Sequence, residues 1–147
     1  MSTASIKKII PCKKKQLIEM VLDIEKYPEF VPWCIEGKMY NKKECNDLII
    51  FNGDLKVGKS FLNETFSSHV SYYKEKDKII VTNLDGPLKH LKNVWIFKTV
   101  NNATQLEFFI DFELKNPFLN GIMKKSFALG LNKIANSFED RAIKLFK

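Results

Sequence analysis

TQLEFFIDFELKNPFLNGIMKKSFALGLNKIANSFEDRAIKLF, residues 104–146, holds a strand pattern followed at once by a helix pattern. In residues 104–114 apolar and polar side chains alternate, which predicts a strand with one face in the protein core. Phe109 is the exception, because it is an aromatic residue on the polar face. The predicted core face consists of Leu106, Phe108, Ile110, Phe112 and Leu114.

The helix pattern begins at Asn116, a good N-cap, and at Pro117, which suits the first helical position. Gly121 and Gly130 weaken a helix by about 1 kcal/mol each relative to Ala, unless another group approaches closely there. Recurrence every three or four residues predicts one long C-terminal helix with a continuous apolar stripe. The stripe consists of Leu119, Met123, Phe127, Leu131, Ile134, Phe138, Ala142 and Leu145.

Alternation also marks the middle of the chain, where turn residues separate the segments. Short connections favour antiparallel pairing, and only the C-terminal helix is long enough to cover the apolar face of the sheet. The predicted fold is α+β and forms one domain, residues 1–147. A curved antiparallel sheet of about seven strands wraps around the long helix. The predicted strands are residues 5–10, 35–42, 47–57, 60–72, 78–84, 91–100 and 104–114, and two short helices, residues 14–22 and 23–30, follow the first strand.

Composition and charge narrow the function classes. The formal net charge is +7, and Arg141 is the single arginine. Because Arg rather than Lys supplies the planar fork that reads bases and phosphates, the lysine excess argues against a DNA-reading protein. A basic surface is compatible with contact to anionic membranes or ribosomal RNA, and equally with a plain solvated surface.

The cysteines and the apolar runs bear on location. Cys12, Cys34 and Cys45 are odd in number and lack CxxC spacing, which suits a reducing compartment. No apolar leader precedes the first strand, and no run approaches ~18 apolar residues. We therefore expect a cytoplasmic protein, with peripheral attachment at the inner membrane as a further option.

The concave face of the predicted sheet raises a question of volume. One helix about 10 Å wide does not fill a strongly curved seven-stranded sheet, so either large side chains or a ligand must occupy the remaining space. Aromatic content alone favours a packed core. The inward candidates are Phe66, Trp95, Phe97, Phe108, Ile110 and Phe112 from strands, and Met123, Phe127 and Leu131 from the helix.

Two further observations favour a cavity. Residues 27–33, which include Tyr27, Phe30, Val31 and Trp33, are too apolar for an ordinary surface loop and suggest a lid or rim. Polar residues also share the alternation of the apolar residues on their strand: Glu64 and Ser68 alternate with Leu62, Phe66 and Val70. Polar groups inside an apolar pocket orient a ligand head group, although a shifted register would place Glu64 in solvent.

No catalytic constellation emerges from the sequence. His69 and His90 are isolated, and no glycine-rich phosphate loop, metal-ligand spacing or nucleophile motif is present. The acidic run of Asp23, Glu25 and Glu29 is typical of a solvated helix face, and Arg141 suits the dipole at the helix end. We expect no enzyme, no metal and no catalytic cofactor, with Glu64 as the one candidate acid or base.

Four stretches, in order, carry a family resemblance: VLDIEKYPEFVPWC (residues 21–34), DGPLKHLKNVWIF (85–97), FFIDFELKNP (108–117) and SFEDRAIKLF (137–146). On them the chain resembles the coenzyme Q-binding protein family, which includes the ribosome association toxin RatA. That family has a START-like, polyketide-cyclase-like helix-grip fold. The resemblance covers essentially the whole chain, and Leu88 departs from it, because the family usually has Phe after Gly-Pro.

The resemblance implies an apolar cavity that accepts an isoprenoid quinone, ubiquinone, as a bound ligand, and a carrier that supports respiratory electron transport. It points to the rim at residues 27–33, to Trp95 and Phe97, and to the inner stripe of the helix. Two alternatives remain: a regulator that binds the large ribosomal subunit and blocks subunit association, and a cyclase or hydrolase acting in the cavity.

Overall fold

The computed structural model describes residues 2–59 and 62–146. Its elements follow the predicted order of strand, short helices, strands and long helix. In chain order they are β1 (Ser2–Ile10), α1 (Lys14–Leu22), a first 3₁₀ helix (Ile24–Glu29), β2 (Cys34–Glu44), β3 (Leu48–Lys59), β4 (Leu62–Tyr73), a second 3₁₀ helix (Lys74–Lys76), β5 (Lys78–Asp85), β6 (Leu88–Val100), β7 (Ala103–Leu114) and α2 (Pro117–Phe146).

The seven described strands form one sheet in the order β1-β7-β6-β5-β4-β3-β2, and all neighbouring pairs are antiparallel. Consecutive strands from β2 to β7 are neighbours, as the short turns predict, and the last strand, β7, also pairs with β1, the first strand of the chain. The sheet is curved, α2 packs on it, and the predicted α+β class and helix-grip architecture are confirmed.

Strand alternation decides which side chains face α2. In β7, Leu106 and Phe108 lie opposite Phe97 and Trp95 of β6, and this face is largely buried. Phe109 points to the other, convex face and is partly exposed. The exception that the sequence shows at Phe109 is therefore a surface position.

The start of α2 is fixed by its predicted cap. The Asn116 side-chain oxygen accepts hydrogen bonds from the backbone amides of Phe118 (2.9 Å) and Leu119 (3.2 Å). These bonds satisfy donors that a helix N-terminus otherwise leaves unpaired. The chain therefore turns sharply from β7 into a helix that crosses the sheet.

A glycine allows the first 3₁₀ helix to lie against the sheet. A Cβ atom on Gly37 of β2 would overlap the backbone carbonyl oxygen of Ile24. The close approach brings Ile24 over the concave face, where its side chain is buried. The segment between α1 and β2 is thereby held as a roof over β2 and β3.

Several predicted boundaries shift. β1 begins at Ser2 rather than at residue 5, and β6 begins at Leu88 rather than at residue 91. β2 extends to Glu44 through a register shift between Tyr40 and Lys43, which carries it into the predicted turn. The predicted strand start at Ser60 lies outside the described residues.

Candidate functional site

Aromatic side chains from three parts of the chain meet around Phe138. Its ring contacts the rings of Tyr27 (5.5 Å between centroids), Phe30 (5.2 Å) and Trp95 (5.4 Å), all in tilted or edge-to-face geometry. Trp95 in turn contacts Phe108 at 4.7 Å. We call this group the Phe138 cluster; it joins α2, the first 3₁₀ helix and the sheet.

A partly open cavity of about 120 Å³ lies beside the Phe138 cluster, between the roof and the sheet. Typical small-molecule pockets measure ~300 Å³ or more, so in this state the cavity has room for a ring-sized group and not for a long chain. Its walls come from α1, the first 3₁₀ helix and β3 to β6: Val21, Leu22, Ile24, Tyr27, Phe51, Gly53, Leu55, Ser68, Val70, Ile79, Val81, Asn93 and Trp95.

Two polar side chains interrupt this apolar wall. Asn93 is held in place, because its side-chain oxygen accepts a hydrogen bond from Trp95 Nε1 (2.6 Å) and its amide donates to the Phe109 carbonyl (2.9 Å). The Ser68 hydroxyl has no such partner within residues 2–59 and 62–146. Ser68 is thus a donor in the cavity wall that is available to a ligand.

The roof is fastened at Tyr27. Its ring is buried, and its hydroxyl donates a hydrogen bond to the Val21 carbonyl. Burial, reinforced by the charges of Cys34 and Asp23, raises the pKa of this hydroxyl well above its usual value. Tyr27 therefore stays neutral and ties the first 3₁₀ helix to the end of α1.

An ion pair fastens the outside of the roof to α2. Arg141 donates to Glu29 at 2.7 Å, and its guanidinium lies 5.0 Å from the Phe30 ring centroid. The hydrogen bond from Arg141, with help from Lys26, lowers the pKa of Glu29. Asp23, Glu25 and Glu29 are all exposed, as the sequence predicts for a solvated helix face. The pairing of Glu29 with Arg141 is an additional contact that the sequence did not reveal.

Trp33 closes the rim where the roof returns to β2. Its backbone lies in the left-handed region (φ 67°), which is unusual for a large side chain. A Cβ on Gly130 of α2 would lie 3.6 Å from the Trp33 ring, and Lys133 lies 6.0 Å from the ring centroid. The indole thus covers the helix at the glycine that the sequence analysis singles out.

A second apolar group fills the other end of the concave face. We call it the Phe127 cluster, after the ring that packs on Phe112 at 4.7 Å. Its fully buried members are Leu88, Phe112 and Leu114, whereas every member from α2 is only partly buried. The partly buried members are Phe66, Leu91, Ile110, Leu119, Met123 and Phe127.

The predicted site residues divide among these groups. Tyr27 and Trp95 line the cavity. Phe30, Val31, Phe97 and Phe108 belong to the core around it, Phe66, Phe112, Met123 and Phe127 belong to the Phe127 cluster, Leu131 is buried, and Trp33 forms the rim. Of the described residues, none from α2 lines the cavity, which differs from the expected placement of Met123, Phe127 and Leu131 on its wall.

Glu64 corrects the expectation of an inward carboxylate. It pairs with Val57 and so shares the face of Phe66 and Val70, but its side chain is exposed. The alternation predicts the face correctly, yet Glu64 lies near the start of β4, where that face is open to solvent. Ser68, four residues further along, is the polar residue that reaches the cavity.

Sequence reasoning missed most of the cavity wall. Phe51 and Leu55 lie on one face of β3, and Ile79 and Val81 on the matching face of β5. Their alternation was visible, but only the pairing across β4 brings them to one cavity. Val21 and Leu22 belong to the first predicted short helix, and nothing in the local pattern marks them as cavity residues. The only related signal is at Gly37 and Gly53, where a Cβ atom would overlap Ile24 of the roof.

Chemistry outside the cavity is limited. Within the described residues, no group of three or more His, Cys, Asp and Glu side chains could hold a metal ion. His69 hydrogen-bonds Asn52 at 3.0 Å, and His90 contacts Asp111 at 3.2 Å on the convex face. None of the described helices is long and apolar enough to cross a membrane.

The chain is similar to known proteins over most of its length. The family model described as polyketide cyclase / dehydrase and lipid transport matches residues 10–139. The ribosome association toxin RatA of Rickettsia prowazekii is 31% identical over 143 residues, 95% of each chain. The mitochondrial coenzyme Q-binding protein of Dictyostelium discoideum is 32% identical over 134 residues, 89% of this chain and 64% of the relative.

Solved structures share the architecture. An 18 kDa protein from Caulobacter crescentus, known from a solution structure, superposes with a TM-score of 0.82 at 33% identity and covers 99% of this chain and 98% of its own. The Zhui aromatase/cyclase of Streptomyces superposes with a TM-score of 0.80 at 14% identity, over 97% and 93% of the two chains. At that identity the likeness shows the fold alone.

Proposed function

We propose, from the premise that the chain belongs to the polyketide cyclase / dehydrase and lipid transport family, that it binds and carries an isoprenoid quinone such as ubiquinone. One observation carries the proposal: the cavity is apolar, ring-sized and roofed, and it contains one unpaired hydroxyl, Ser68. The relative from Dictyostelium discoideum, named as a coenzyme Q-binding protein, supports the choice of ligand. No catalytic step is part of this proposal.

In this proposal the quinone ring occupies the cavity. The Ser68 hydroxyl of β4 donates a hydrogen bond to a quinone carbonyl oxygen, and Trp95 of β6, two strands away, supplies an aromatic side chain to the ring. Asn93 positions Trp95 through the bond to its indole nitrogen. The site recognises a flat ring with carbonyl oxygens and does not need a charged group.

The isoprenoid tail needs a different place, because the cavity is too small for it. Ser68 lines the cavity and Phe66, the next residue on the inner face of β4, belongs to the Phe127 cluster, so the cavity and the cluster adjoin. The α2 side chains there are only partly buried, and the tail can replace their contacts with one another. We therefore assign the ring to the roofed cavity and the tail to the Phe127 cluster.

Mass spectrometry of an organic extract tests the proposal. Protein purified without detergent from a quinone-producing host is expected to yield an isoprenoid quinone in stoichiometric amount. An extract free of quinone, from folded protein that also fails to take up added ubiquinone, would refute the carrier function.

Ser68 gives a sharper test through a matched pair on one strand. Ser68→Ala is expected to weaken ubiquinone binding roughly two- to tenfold, the value of one neutral hydrogen bond. Ser71→Ala is the control, because Ser71 lies on the opposite face of β4 and pairs with Ile50. Equal affinities for the two variants would remove Ser68 from the site.

A second candidate is a ribosome-associated role. The observation that favours it is the near full-length match to a protein named as a ribosome association toxin, together with the net charge of +7. Phosphate contacts made by lysine are strongly salt-dependent. Sedimentation of ribosomes with added protein at low salt tests this role: altered subunit association supports it, and an unchanged profile rejects it.

A further inference from the structure

The N-terminal part of α2 exposes large apolar side chains. Phe118 is 75% exposed and Leu129 is 65% exposed, the two highest values among the exposed large apolar residues of the described chain. They are separated by three helical turns, so they lie on the same side of α2, facing away from the Phe127 cluster. We call this side of residues 117–133 the outer face of α2.

Charge on this stretch has one sign. Residues 115–138 contain Lys115, Lys124, Lys125 and Lys133 and no Asp or Glu; the first acid after them is Glu139. Lys124 and Lys133 are exposed, and neither forms an ion pair with any residue that the structure describes. Exposed Phe and Leu interspersed with unpaired lysines are the composition of helices that lie in the interface of anionic membranes.

We propose that the outer face of α2 docks on an anionic membrane surface. Phe118 and Leu129 insert between lipids. Lys133, one helical turn after Leu129, contacts lipid phosphates beside them, and Lys124 does so from the flank of the helix. Ribosomal RNA fits less well, because phosphate contacts leave the exposed Leu129 and Phe118 in water and the stretch has no arginine. This proposal goes beyond ligand binding and does not depend on which molecule the cavity holds.

Docking here would also place the rim at the lipid surface. Trp33 lies against Gly130, and Lys133 lies over the same ring. Tryptophan is favoured at membrane interfaces, where its ring is apolar and its N–H remains wet.

Co-sedimentation with vesicles tests the docking. Full-length protein is expected to bind phosphatidylcholine vesicles that contain phosphatidylglycerol and to bind pure phosphatidylcholine more weakly. Phe118→Ser and Leu129→Ser are each expected to lower the partition coefficient about tenfold. Replacing Lys124 and Lys133 by Gln is expected to lower it about fivefold per lysine on anionic vesicles only.

A matched control comes from the convex face. Ile9 is 49% exposed on β1, so Ile9→Thr removes exposed apolar surface without touching α2, and it is expected to leave vesicle binding unchanged. Absence of vesicle binding by the wild type would overturn the proposal, as would equal losses for Ile9→Thr and Leu129→Ser. If the protein binds ribosomes through these lysines but does not bind vesicles, the membrane proposal is rejected and RNA is the partner of this face. Quinone content is measured on the same variants without vesicles, so failure of docking and failure of carriage are distinguishable.

Discussion

The two halves of α2 belong to one helix but pack in opposite ways. Residues 131–146 bury Leu131, Phe138 and Ala142 and are tied to the rest of the chain by Lys8–Glu139 and Arg141–Glu29. Residues 117–130 have partly buried inner side chains and two highly exposed outer ones, and no ion pair involves this half within the described residues. The C-terminal half therefore anchors the helix, and we expect the N-terminal half to be the part that separates from the sheet to admit a ligand.

The largest expected effect comes from removing one ring from each half. Phe138 is 2% exposed and contacts three other rings, so Phe138→Ala is expected to lower the free energy of unfolding by about 3–5 kcal/mol. Phe127→Ala removes a partly buried ring, so its loss in free energy of unfolding is expected to be about half as large. For the same loss of stability, Phe127→Ala is expected to lower ubiquinone uptake more than Phe138→Ala does. Urea denaturation monitored by circular dichroism measures the free energy of unfolding of the two variants. Equal losses would contradict the difference in packing between the two halves of α2.

Glycine substitutions in α2 sharpen the comparison with a smaller effect. Nothing lies within 4 Å of a Cβ on Gly121, so Gly121→Ala is expected to raise the free energy of unfolding by about 1 kcal/mol. Gly130→Ala places a methyl in ordinary contact with the Trp33 ring and is expected to stabilise the helix by about the same amount. Thermal denaturation measures the change in stability, and quinone exchange rates are measured on the same variants. If Gly130→Ala slows quinone exchange and Gly121→Ala does not, movement of the rim against α2 is part of ligand entry.

The smallest effect concerns the ion pair between roof and helix. Arg141 holds the pKa of Glu29 below its usual value, so the pair adds stability above the unfolded-state pKa of about 4.3 and loses it as pH falls through the lower folded-state pKa. Glu29→Gln is therefore expected to be less stable than wild type at pH 7, with the difference vanishing in acid. Glu75→Gln, at an exposed turn, serves as the control; a Glu29→Gln difference that persists unchanged at low pH would contradict this account.

Much of the fold could be predicted from the sequence because its signals are local. Alternation in residues 104–114 and the apolar stripe of α2 depend on neighbours within a few positions, and the Asn116 cap needs only three. The predicted ends of the strands were less exact. β6 begins at Leu88 rather than at residue 91, because a register shift between Leu88 and His90 extends its pairing with β7. Such irregularities depend on the partner strand, which local patterns do not reveal.

The candidate site was harder to predict because long-range geometry forms it. The cavity joins Val21 to Trp95, and the roof is held by a pair between Glu29 and Arg141, which are 112 residues apart. Alternation gave the correct face for Glu64 and Ser68, but it does not say how far along a strand the concave face remains covered. For that reason Ser68 lies in the cavity and Glu64 in solvent.

Fluorescence of Trp95 tests the central claim, that a quinone ring occupies the roofed cavity, most directly. The chain has 2 tryptophans, so Trp33→Phe leaves Trp95, a cavity-wall residue, as the single indole. Titration with a short-chain ubiquinone is predicted to quench its emission saturably at one quinone per chain, with a weaker midpoint when Ser68→Ala is added. Emission from the folded protein that stays constant, or falls without saturation as free tryptophan does, would contradict the account.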